Sequence, residues 1–333
     1  MNKQSVSMDT IAQTLGVSKV TVSKALNEKE GVSQELRLKI KEKAQELGYH
    51  FNYMARGLRS NQTYNIGVLI AERYLGSEDN YYFEVYGKFV RKFNEYNYNA
   101  IMEIIDADKE KNLILPDLYV QKKVDSIIII GECQSNYLKL FENSDIPILF
   151  FDFYDEGVNI DSITVDNYTM GTEITKLLIA KGYKSIGFVG NIYSTSSIKD
   201  RFLGYYKALL DNNYPIDYNY ILSDRNEDGT LIDVTLPEKL PDAFLCNNDQ
   251  VAFHIINKLI ERGLTVPKDV AVAAFDNTIY SRIARVPITT VDTNVETLVE
   301  KASKAIIKKM NQPEKIYNRI LVKGNIIERE SVK

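Results

Sequence analysis

Two sets of residues in this 333-residue chain have side chains suited to recognition chemistry. In the first, Lys19, Val20, Thr21 and Lys24 are left on the outer face of a short helical pattern. Ser18 can cap that helix, its hydroxyl accepting a backbone N–H near Thr21. Two ammonium groups, a hydroxyl and an apolar side chain at a helix N-terminus suit phosphates and base edges. In the second set, Asp152 follows the apolar run PILFF, Asn248 and Asp249 follow AFLCN, and Asp276 follows DVAVAAF. Polar groups just beyond strand ends are where open α/β sheets bind ligands. Arg201, opening a helix pattern in the same half, adds a planar donor fork that can grip adjacent hydroxyls. Tyr82 or Phe83, after the first strand, can supply an aromatic face for the C–H side of a sugar. Each residue also has a plainer reading: Asp249 as a helix N-cap, Asp152 ordering its loop, Arg201 as a surface partner of Asp200 or another acid.

The elements that must position the first set lie in MDTIAQTLGVSKVTVSKALN, residues 8–27. Ile11, Ala12 and Leu15 can pack inward on a first helix, Gly16 supplies a turn, and Val17 and Val22 close the core. The pattern predicts a helix-turn-helix whose second helix lies in a DNA major groove. An ordinary helical hairpin would explain the Ala, Gly and Val but not the polar outer face as well. Ser33 caps a third helix carrying Leu36, Ile40, Ala44 and Leu47, which Gly48 ends. Next, Asn52 can cap a helix of about two turns running to Leu58, marginal alone and suited to forming when two copies meet on DNA. Residues 1–60 carry ten Lys/Arg against six Asp/Glu, a net +4, while the whole chain is −4, which leaves −8 for the rest. Phosphate attraction is thus confined to a basic head.

The elements that must position the second set begin at Asn65. IGVLIA, AIMEII, SIIII and PILFF alternate with amphipathic helices, and SITV, SIGFVG, AFLCN and DVAVAAF form a second series. Two doubly wound α/β halves are expected, with the last helix (Val295 to Ile306) and a strand near Ile320 still to be placed. A 44% hydrophobic and 26% charged composition is that of an ordinary globular protein. MNKQSVSMDT has no apolar signal core and no stretch reaches membrane-spanning length, so a cytoplasmic protein is expected. Cys133 and Cys246 are far apart and only His50 and His254 could join them, which argues against disulfide and zinc chemistry. Residues 224–229 resemble the first half of a calcium loop, but Thr235 stands where a bidentate Glu is needed, so the segment reads as a polar turn. No P-loop, GxGxxG, GxSxG or HExxH is present, and no cofactor is expected.

VSKVTVSKALN, GVSQELRLKIKEKAQELGYHFN and ARGLRSN, together with CNNDQVA and VAVAAFDN, resemble the lactose-repressor (LacI/GalR) family of bacterial transcription regulators over essentially the full chain. The resemblance implies an all-α head (1–50), a hinge helix and linker (51–63), and a body (64–333) of the periplasmic-binding-protein type I fold. It implies one subdomain of about 64–163 and 293–319, a second of about 164–292 and 320–333, three crossovers and an effector pocket between them. It further implies a homodimer on a palindromic operator, with Leu58 wedged into the minor groove. Lys19, Val20 and Lys24 would read bases, and Thr21 and Asn27 would hold phosphates. Phe51 departs from the family, which usually has proline before Asn52, and ERYLGSEDN is longer than in many members, closer to galactoside-responsive ones. Arg201 with Asp276 is the pair that sugar-binding members keep, so the expected effector is a sugar, with a galactoside as the named candidate. The alternatives are an enzyme acting on a sugar or nucleotide, which lacks a catalytic constellation, and a regulator controlled by a protein partner.

Overall fold

A computed structural model describes residues 6–26, 29–49, 62–76, 81–226 and 229–333, in two compact units that divide between Gln62 and Thr63. In the first unit, α1 (Met8–Leu15), α2 (Lys19–Leu26) and α3 (Gln34–Glu46) enclose Ile11, Ala12, Val22, Ala25, Ile40 and Ala44. Ser7 and Thr10 form a reciprocal capping box at α1, and Gly16 turns the chain with φ +65°, a left-handed value that costs glycine little. Ser18 accepts the N–H of Thr21 at 3.0 Å and Ser33 that of Leu36 at 3.3 Å, so both expected caps form. Arg37 on α3 closes the other end of α2, donating to the carbonyls of Ala25 (3.2 Å) and Lys29 (2.7 Å). That satisfies helix-end acceptors which would otherwise need water.

In the second unit the described strands are β1 (Asn65–Ala71), β2 (Asn99–Ile105), β3 (Ser126–Ile130), β4 (Ile148–Phe151), β5 (Ser162–Val165) and β6 (Ile186–Val189). They continue with β7 (Ile221–Leu222), β8 (Ala243–Cys246), β9 (Ala271–Phe275), β10 (Thr289–Asp292), β11 (Arg319–Val322) and β12 (Asn325–Ile327). One sheet has the order β11-β5-β4-β3-β1-β2 and the other β12-β10-β9-β8-β6-β7. All pairings between these strands are parallel except β10 with β12. Both sheets therefore wind the same way, with an order reversal between β1 and β3 and again between β6 and β8. The continuous apolar runs follow from burial on both faces. Ile128 and Ile130 join a core shared by the two lobes, while Ile127 and Ile129 face the other side of the first sheet.

Three connections join the lobes, at residue 166, at 293–294 and at 323–324. One expectation is corrected here. SITV, read as opening the second half, is β5 of the first sheet, hydrogen-bonded between β4 and β11. The first lobe's sheet thus runs to Val165 and takes back Arg319–Val322, so the borders set at 164 and 320 move by two to three residues. Apolar runs in the two sheets look alike, and only the hydrogen-bond partner, which the pattern of residues does not reveal, assigns a strand to a sheet.

The longer helices of this unit are α4 (Tyr81–Glu95), α5 (Asn167–Ala180), α6 (Ser196–Asp211), α7 (Asp249–Glu261) and α8 (Val295–Asn311). α8, the helix left unplaced by the sequence, packs on the first lobe beside α4. α5 and α6 meet through two glycines. A Cβ on Gly171 would lie 2.4 Å from the Arg201 carbonyl oxygen, and one on Gly204 would lie 2.2 Å from that of Tyr168. This close crossing sets the position of Arg201.

Candidate functional site

Chain leaving β1, β4, β8 and β9 meets the first turns of α4 and α6 around a cleft of about 490 Å³, a size suited to a small organic ligand. Asp152 and Asp276 occupy matching places, each one residue beyond its strand. Their φ angles are +69° and +98°, and their N–H groups donate to Ile163 and Val291, each at 2.8 Å. Non-glycine residues there cost about 1 kcal/mol or more each, strain typical of ligand sites. Arg201 is only 5% exposed, and its three nitrogens are all engaged. Nε donates to Asn167 Oδ1 (2.8 Å), Nη1 to the Asn247 carbonyl, and Nη2 to Asp276 Oδ1 (2.9 Å). The Phe275 ring lies 4.5 Å from its guanidinium carbon. The surface pair with Asp200 does not form; that carboxylate takes the Tyr154 hydroxyl at 2.9 Å.

Asp152 faces Arg201 and Asp276 from the other lobe. Its Oδ2 accepts the Tyr81 hydroxyl at 3.3 Å, while Oδ1 is buried with no hydrogen-bond partner among the described residues. Burial pushes its carboxyl up to about 7, against the pull of Arg201 and with the push of Asp276. Asn248, not Asp249, caps α7, accepting the Val251 N–H at 2.8 Å. Asp249 is fully buried and accepts the Thr278 N–H and the Thr290 hydroxyl, each at 2.6 Å, which ties down the loop carrying Asp276. Burial raises its carboxyl to about 7 as well.

Tyr82, Asp152, Arg201, Asn248 and Asp276 all line the cleft. Phe83 does not, and is 43% exposed. The expectation for it is corrected: one residue along a helix turns a side chain by about 100°, so Tyr82 and Phe83 cannot face the same way. Arg73, Tyr74, Tyr81 and Arg225 also line the cleft and were not anticipated. They lie in or beside polar loops with no periodic pattern to mark them. Asp224, from the rejected calcium loop, grips Arg225 and accepts the Asn191 N–H (2.8 Å) and the Asn247 amide (2.6 Å). Across the lobes, Glu132 accepts both the N–H and the hydroxyl of Ser196, each at 2.7 Å, at the start of α6.

In the head, Lys19, Val20 and Lys24 are exposed on α2, Val20 at 64%. An apolar side chain left so open beside two lysines suits a thymine methyl. The Thr21 hydroxyl meets that of Ser18 at 2.8 Å, and Lys19 pairs with Asp9 at 2.6 Å on the open surface, a contact worth little and easily exchanged. Asn27 and Leu58 lie outside the described residues.

Two families match these regions: Bacterial regulatory proteins, lacI family, over residues 7–52, and Periplasmic binding protein-like domain over residues 175–332. The HTH-type transcriptional regulator RegA of Clostridium saccharobutylicum is 29% identical, covering 98% of each chain. The HTH-type transcriptional repressor PurR of Actinobacillus pleuropneumoniae is 28% identical, covering 90% of each. Among solved structures, the fold is similar to that of the Lac repressor dimer bound to operator and the anti-inducer ONPF, with TM-score 0.73, 21% identity, and 98% and 99% coverage of this chain and that one. It is also similar to the transcriptional regulator CelR–cellobiose complex, with TM-score 0.69, 19% identity, and 98% and 99% coverage.

Proposed function

This chain belongs to the lacI family of bacterial regulatory proteins, and from that premise we propose that it represses sugar-utilisation genes under the control of a sugar bound in the body's cleft. It is a DNA-binding transcription regulator with a small-molecule effector, not an enzyme. The observation that carries the sugar reading is the arrangement of Asp152 and Asp276 around Arg201. Asp152 Oδ1 is buried without a partner among the described residues, and Arg201 is already held in place by Asn167 and Asp276. Sugar hydroxyls can donate to the carboxylates and accept from the guanidinium edge, with Asn248 beside them, and Tyr82 is placed to take the part of the sugar that extends away from Arg201. The sugar complex of the CelR regulator, a protein of the same fold, supports this reading.

Two copies would place two α2 helices in successive major grooves of a palindromic operator. Lys19, Val20 and Lys24 face base edges, Ser18 presents the helix N-terminus, and Thr21 and Asn27 hold phosphates. Leu58 enters the minor groove between the half-sites. Effector binding draws the lobes together and changes operator affinity by their differential free energy, typically ~1–3 kcal/mol per site. Work on chromosomal DNA puts the protein in the cytoplasm. Selection of DNA from a random pool by the full-length chain is expected to return an inverted repeat with half-sites about one helical turn apart. Recovery of single, unpaired half-sites would contradict the dimeric reading.

A further inference from the structure

The cleft has two chemically different ends, and we infer that its ligand is an uncharged sugar of two rings, one seated on Asp152, Arg201 and Asp276 and the other between Tyr82 and Arg225. This rests on the sugar reading above and narrows it. At the first end, Asp276 already balances the charge of Arg201, and the buried Oδ1 of Asp152 has no hydrogen-bond partner among the described residues, a setting that welcomes hydroxyl donors over anions. From Asp152 a wall of the first lobe runs to Tyr81 through a hydrogen bond. It continues to Tyr82, whose ring centroid is 5.1 Å from that of Tyr81, and to Tyr74, 5.3 Å further on. From Asp276 the opposite wall runs through Arg201, Asn247 and Asp224 to Arg225.

At this second end Asp224 fixes Arg225 through Nε (3.1 Å) and Nη2 (2.8 Å). Arg225 Nη1 has no hydrogen bond among the described residues and is not sealed from solvent. It is therefore an oriented donor beside an aromatic wall, which suits a ring that stacks and offers oxygen acceptors. Its charge is already balanced by Asp224, and Arg73 nearby is spent on Glu110 and the Glu132 carbonyl. Among the described residues no uncompensated positive charge remains there for a phosphate or carboxylate. Size agrees. One hexose of twelve non-hydrogen atoms, at the ~30 Å³ per atom of liquid water, takes up about three quarters of the 490 Å³ cleft, and a second ring extends toward its open side.

Calorimetry on the full-length protein tests this with gluco-, galacto- and xylo-configured disaccharides, their monosaccharides, and glucose 1- and 6-phosphate. The expected result is a disaccharide that binds at least tenfold more tightly than either of its units, with the phosphates weaker than the neutral sugars. Tyr82→Ala should then weaken the disaccharide at least tenfold and leave the monosaccharide within twofold, and Arg225→Gln, which keeps a donor amide but not its geometry, should act in the same direction. A monosaccharide binding as tightly as any disaccharide, a phosphosugar binding most tightly, or Tyr82→Ala weakening one- and two-ring sugars alike would overturn the two-ring inference alone. Absence of binding by every sugar would overturn the sugar reading itself.

Discussion

Asp152 holds its carboxyl in a place that suits a ligand better than the empty protein. Burial disfavours the charged form and pushes its carboxyl up to about 7, and one oxygen has no partner among the described residues. A folded-state value raised above the ordinary carboxylate range means the native state keeps a proton that the unfolded chain has released. That contribution to stability is complete at pH below about 4 and is lost as pH rises through about 7. Asp152→Asn should therefore raise the melting temperature of the ligand-free protein at pH 8, leave it nearly unchanged at pH 4, and weaken sugar binding. Equal melting curves at both pH values would contradict the burial argument. Asp152, Asn248 and Asp276 were legible because each stands just past an apolar run; Arg201 was legible as a lone guanidinium at the head of an apolar-periodic stretch, although its helix begins five residues earlier, at Ser196, than the sequence pattern suggested. Arg225 and Arg73 were not, because a guanidinium in an aperiodic loop looks the same in sequence whether it faces solvent or a cleft. Asp249 was misread because adjacent Asn and Asp are both good caps, and only backbone geometry chooses between them.

α6 carries Arg201, and its place depends on the two glycines at its crossing with α5. Gly204→Ala would drive a methyl group into the Tyr168 carbonyl and the Thr172 N–H, both backbone atoms that cannot swing aside. Overpacking of this kind costs about 1–3 kcal/mol, so chemical denaturation should show a loss in that range together with weaker effector binding. A neutral substitution would mean that the helices can separate freely. At this scale the strand runs and the caps Ser18 and Ser33 were readable from local pattern and chemistry. Sheet membership was not: β5 joins the first sheet through β4, and β11, which begins 154 residues beyond the end of β5, joins it only through β5. β10, with its TTVD sequence, lacked the long apolar run that marked its neighbours.

Over the whole molecule, charge and connectivity divide the work. The net +4 of residues 1–60 against −8 elsewhere confines attraction for DNA to the head. Three connections between lobes run through a crowded place, where a Cβ on Gly324 would lie 2.6 Å from the Asp292 carbonyl oxygen. Neighbouring strands leave both sheets here, so a change in lobe closure must be absorbed by a few residues around 166, 293–294 and 323–324. Glu132 on Ser196 and Tyr154 on Asp200 bridge the lobes beside the cleft, and closure or opening must remake them. The sequence pattern showed that two halves existed. It did not show these bridges, which join residues 46 and 64 positions apart with no periodic signature.

Operator binding by the full-length protein, titrated with and without the tightest-binding sugar from calorimetry, bears most directly on the claim that the cleft governs the head. In the native chain the sugar should shift operator affinity about 5- to 150-fold. Arg201→Ala should bind the operator as well as the native chain in the absence of sugar and show no shift when sugar is added. A full sugar-dependent shift in Arg201→Ala would place the controlling site elsewhere and contradict the account.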